Sequence, residues 1–118
     1  MGSNAMLYDW NTYRDELHRT VGDFTRLNPP VMRGLSMMSS GEQGNHLSAK
    51  VHELIALAVA ITTRCDGCIA THVKMAAEHG ATREEIAEAL GTAIALNAGA
   101  ALTYTARTLD AFDALPAA

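Results

Sequence analysis

At 118 residues the chain is long enough for one domain with a modest core and too short for two. Nine Lys+Arg against thirteen Asp+Glu give a formal net charge of -4 with no basic cluster, which argues against a nucleic-acid partner. The 48% hydrophobic content includes only two Phe and one Trp and is dominated by Ala, Leu and Met, a composition that suits helix–helix interfaces better than a β-sandwich.

Residues 1–5 read as an expression-tag remnant, so the expected single domain is 6–118, with Met6 as the native start. A first helix is predicted over Asp9 to Leu27, with Trp10, Tyr13, Leu17, Val21 and Phe24 as its apolar stripe. Asn28-Pro29-Pro30 stops it, and Pro30 suits the first turn of a short second helix, Val31 to Met38. In that helix Met32, Leu35 and Met38 share a face expected to be core. A polar loop follows at Gly41 to Gly44. Ser48 is the expected N-cap of a third helix running to about Thr63. A fourth starts near Cys65 and stops at Gly80, a good residue for the position after a helix. Thr82-Arg83-Glu84-Glu85 is a capping box that opens the fifth helix, which should break at Asn97-Ala98-Gly99 before a last helix, Ala100 to Leu115. The expected fold is therefore all-α, with about six helices. Leu54 to Ile61, the longest apolar run, is too short to span a bilayer, so a cytoplasmic protein with no membrane partner is expected. Ile86 to Ala106 carries a single charge, Glu88, and a helix apolar on nearly all sides needs cover that a domain this small cannot supply. A homo-oligomer is the expectation.

The chemistry concentrates in Cys65-Asp66-Gly67-Cys68-Ile69-Ala70-Thr71-His72. Steps of three and four residues advance about 300° and 400° on a helix, so Cys65, Cys68 and His72 fall on one stripe. Two thiols that can close into a disulfide, one turn from an imidazole, make a redox constellation. Cys65 is also placed to feel the helix end. The third and fourth helices should form an antiparallel hairpin turning near Arg64. Measured from that turn, Glu53 lies roughly 16 Å back and His72 roughly 10 Å forward, an offset that two side chains or a bridging water can span. Glu53 would then orient His72, and His72 would accept a proton from Cys68. The other histidines read as structural: His79 at a helix C-terminus, His52 and His18 on helix surfaces, His46 in a loop. Tyr104 is assigned to core or interface.

Glu53, eleven intervening residues, Cys65-Asp66-Gly67-Cys68, three more and His72 resemble the core pattern of the alkylhydroperoxidase D-like, or carboxymuconolactone decarboxylase, superfamily. The resemblance spans about Pro30 to Ala106. It implies an all-helical fold that assembles as dimers, trimers or hexamers. It also implies a peroxidase cycle in which Cys68 attacks a (hydro)peroxide and Cys65 resolves the sulfenic acid as a disulfide. His72 would serve as base, with Glu53 acting through it. A lipoyl-bearing or thioredoxin-like dithiol protein would reduce the disulfide, and no cofactor or metal is implied. The best-studied members carry a histidine directly before the second cysteine, where this chain has Gly67, so any proton transfer assigned to that residue is missing. Three alternatives stand beside this reading: a lactone decarboxylase, which needs no cysteine pair; a zinc site built from Cys65, Cys68, His72 and Glu53; and a non-catalytic helical oligomer with a vestigial pair.

Overall fold

The computed structural model describes residues 7–39 and 46–117. The tag remnant expected at 1–5 and the polar loop expected at Gly41 to Gly44 lie outside them. The described residues form five helices and no strand: α1 (Trp10–Leu27), α2 (Pro29–Ser39), α3 (Ala49–Thr63), α4 (Asp66–Glu78) and α5 (Arg83–Asp113).

Local chemistry sets most of the boundaries. Asp9 caps α1 by accepting the Thr12 N–H, and Ser48 caps α3 by accepting the Val51 N–H. At α5 the Thr82 hydroxyl accepts the Glu85 N–H while the Glu85 carboxylate accepts the Thr82 N–H, a complete capping box. Gly80 adopts φ 85° between α4 and α5, where a side chain would be strained. Arg64 takes the left-handed conformation with φ 55°, and both its N–H and that of Cys65 end on the Ala60 carbonyl. That turn reverses the chain from α3 into α4.

The two helices expected after Thr82 are one. Asn97 donates both to the Ala93 carbonyl of its own helix and to the Thr62 hydroxyl of α3, so the residue that reads as a stop is a tether. Gly99 then costs the helix only about 1 kcal/mol, which the surrounding Ala and Leu residues offset. The resulting 31-residue helix is about 46 Å long. It is long and apolar enough, by length and composition, to cross a bilayer, which no shorter run in the sequence indicated.

Two tethers fix α5 against α3: Lys50 to Glu85 at 2.8 Å and Thr62 to Asn97 at 2.9 Å. They stand twelve residues apart on both helices, so α3 and α5 run parallel. α3 also packs on α4, α4 on α1, and α1 on α2. The site lies in the α3–α4 seam, flanked by α1.

The core is thin: among the described residues the buried apolar ones are Leu57, Ala60, Ala70 and Ala76. Leu35 and Met38, expected inside, are exposed, and so are Leu102, Tyr104 and Phe112 on the part of α5 that runs beyond α3. An Arg107 guanidinium covers the Tyr104 ring at 4.8 Å. The radius of gyration is 19.4 Å, against about 13–14 Å for an ordinary domain of this length.

Candidate active site

α4 opens on the cysteines. Cys65 is its N-cap, with extended backbone, and its Sγ accepts the Cys68 N–H at 3.1 Å. It therefore stands at the mouth of the helix, while Cys68 occupies the first turn. The two are joined as a disulfide, with Cα atoms 5.2 Å apart, a separation suited to the bond.

One turn beyond Cys68, His72 is half-buried and meets Glu53 of α3: Nδ1 and Oε1 are 2.6 Å apart, with no need for a bridging water. Glu53 is buried at 8% relative exposure. A buried carboxylate needs a partner, and this one has it in the imidazole. With Nδ1 engaged as donor to Glu53, Nε2 is the nitrogen left to accept a proton. The antiparallel hairpin thus brings the Glu53 carboxylate onto the His72 imidazole, one helical turn along α4 from Cys68.

The role of α1 was not legible in the spacing. Arg14 is buried, donating from Nε to the Ala70 carbonyl at 2.5 Å and from Nη1 to Asn11 at 2.9 Å. His18 Nε2 lies 3.0 Å from the Thr71 hydroxyl, so this surface histidine links α1 to α4. Between them Leu17 sits on Gly67: a Cβ on that glycine would come 2.8 Å from Leu17 Cδ2. Arg14–Ala70, Leu17–Gly67 and His18–Thr71 together hold the middle of α1 against the first half of α4. An open groove of about 720 Å³ follows α1, lined in part by Tyr8, Tyr13, Leu17 and Asp66, and so reaches the residue after Cys65. The small residue between the cysteines was the sole hint that another helix approaches there.

The remaining candidates divide. His79 caps the C-terminus of α4, as expected. His52 does not stand at the surface: its Nε2 is buried with no hydrogen-bond partner among the described residues. Among the described residues no three His, Cys, Asp or Glu side chains are grouped to hold a metal ion. Away from the site, the Lys50 ammonium and the Thr82 N–H hold the Glu85 carboxyl below its usual value.

Comparison with known proteins places this geometry in context. Residues 29–111 match the model of the carboxymuconolactone decarboxylase family. An uncharacterised protein of Cupriavidus necator is 36% identical over 95% of this chain and 100% of its own length. One from Haemophilus influenzae is 42% identical over 92% of this chain and 96% of its own. Among solved structures, the apo form of a carboxymuconolactone decarboxylase family protein from Legionella pneumophila superposes with a TM-score of 0.68 at 32% identity, covering 88% of this chain and 94% of that one.

Proposed function

The chain belongs to the carboxymuconolactone decarboxylase family, and on that premise we propose that it is a thiol-dependent oxidoreductase that reduces hydroperoxides through a Cys65–Cys68 dithiol–disulfide cycle. The observation that carries this reading is the Glu53–His72 bond at 2.6 Å beside a cysteine pair in disulfide geometry. A free thiol is only a few per cent thiolate at neutral pH, so a nucleophilic cysteine needs a base. His72 Nε2 takes the Cys68 proton, and Glu53 is a positioning residue that holds the tautomer and stabilises the imidazolium.

In the oxidising half, the Cys68 thiolate attacks the peroxide oxygen. The O–O bond breaks, the alkoxide leaves and takes a proton, and Cys68 becomes a sulfenic acid. Cys65 then attacks the Cys68 sulfur and expels hydroxide, which leaves as water. A dithiol protein, lipoyl-bearing or thioredoxin-like, returns the two electrons. A lactone decarboxylase would share the fold but needs no cysteine pair, so the paired Cys65 and Cys68 favour the redox reading.

The same proposal includes self-assembly and a cytoplasmic location, where reducing thiols are present. A second copy would cover the apolar part of α5 that runs beyond α3. The chain exposes 9290 Å², against about 6,200 Å² for a folded monomer of its mass. The test of function is peroxide consumption with lipoamide, thioredoxin or glutathione as reductant. Cys68→Ser should abolish it, and Cys65→Ser should stop turnover while leaving one oxidisable thiol. Full activity in Cys68→Ser would overturn the mechanism.

A further inference from the structure

The cycle needs a partner thiol to open the Cys65–Cys68 bond, and the two sulfurs are not equivalent. Resting on the redox reading above, we infer that the reductant attacks Cys68 Sγ and that Cys65 leaves as the thiolate, so that the mixed disulfide with the partner forms on Cys68.

The reason is the helix end. Cys65 is the N-cap of α4, with φ -99° and ψ 98°, and its Sγ already accepts the Cys68 N–H at 3.1 Å. When a disulfide is attacked, negative charge grows on the departing sulfur, and exchange is faster when the departing thiolate is better stabilised. On Cys65 that charge forms on an atom held by a backbone donor at the positive end of the helix dipole, with no rearrangement needed. Cys68 stands inside the first turn and takes part in the same bond as its backbone donor. The Asp66 carboxylate next to Cys65 opposes this, but it is exposed and screened by solvent, and the Arg64 guanidinium on the other side carries the opposite charge.

The step balances. A bond forms between the reductant sulfur and Cys68 Sγ, while the Cys65–Cys68 bond breaks with its electron pair passing to Cys65. The second thiolate of the reductant then attacks its own sulfur in the mixed disulfide and releases Cys68 as a thiolate, which is protonated. The reductant loses two electrons and becomes a disulfide, and both cysteines are reduced. Cys68 is thus the sulfur attacked in both halves of the cycle, and Cys65 never carries the partner.

The test uses the oxidised wild-type protein. It is treated briefly with the monothiol 2-mercaptoethanol and quenched with a maleimide, so that every free thiol is blocked before digestion. Trypsin cleaves after Arg64 and Lys74, and fragmentation of the Cys65-to-Lys74 peptide locates the adduct. The expected result is mercaptoethanol on Cys68 and maleimide on Cys65, in at least about fivefold excess over the reverse pattern. The same protein unfolded in guanidinium should show no such preference. An even distribution or a majority on Cys65 in the folded protein would overturn the inference alone, as would a preference that survives unfolding. A folded protein that fails to exchange at thiol concentrations sufficient for the unfolded chain would instead overturn the redox function on which the inference rests.

Discussion

At Gly67 and Leu17 two helices meet where neither sequence segment announces the other. A side chain at 67 displaces the tip of Leu17, because the Cβ alone would lie 2.8 Å from its Cδ2. Gly67→His should therefore destabilise the protein by about 1–3 kcal/mol, the usual cost of overpacking, and Leu17→Ala in the same chain should recover part of the loss. Chemical denaturation of the two single variants and the double variant measures the coupling. The Glu53–His72 contact is of the other kind, legible because helical rise is fixed and the turn at Arg64 is short. Glu53→Gln keeps a hydrogen-bonding side chain but removes the charge that stabilises the imidazolium. Peroxide turnover should fall about tenfold to a hundredfold while the far-UV circular dichroism is unchanged. Cys65, expected at the start of the helix, is its cap: the last residue before a helix shares its register but not its backbone conformation.

Among the elements, the starts of α1, α3 and α5 were the most legible, since each carries its own capping chemistry in three or four adjacent residues. Thr82→Ala removes the side-chain half of the α5 capping box and should cost about 1 kcal/mol in thermal or chemical unfolding. Glu85 adds a pH dependence. Its carboxyl is held below the usual 4.5 by Lys50, then by the Thr82 N–H. A depressed folded-state value means the contribution is complete above the ordinary carboxylate range and is lost as pH falls from about 4.5 through the folded value. Lys50→Met should flatten that part of the curve of thermal midpoint against pH, and an unchanged slope would show that the pair contributes nothing. The continuity of α5 was not legible. Asn97 and Gly99 are poor helix residues taken alone, and the Thr62 hydroxyl on α3, thirty-five residues away, is a partner for Asn97 that the local sequence does not show.

For the molecule as a whole, the proposed assembly rests on how little apolar surface the single chain buries. Among the described residues the buried apolar set is one leucine and three alanines, while large apolar residues line the part of α5 beyond α3. Sedimentation should show an oligomer at micromolar concentration, and Leu102→Glu with Leu109→Glu should give monomer or loss of folding. Wild-type protein that sediments only as monomer would refute the assembly. The all-helical class was readable from composition and period, whereas the order in which the helices pack was not, because small Ala-rich faces fit many neighbours equally well. The central claim, a two-electron cycle carried by Cys65 and Cys68, is tested most directly by titrating the reduced protein anaerobically with an organic hydroperoxide and counting thiols. The account predicts that each peroxide consumed removes both thiols of one chain and that Cys68→Ser removes none, while thiols that persist in the wild type after excess peroxide would contradict it.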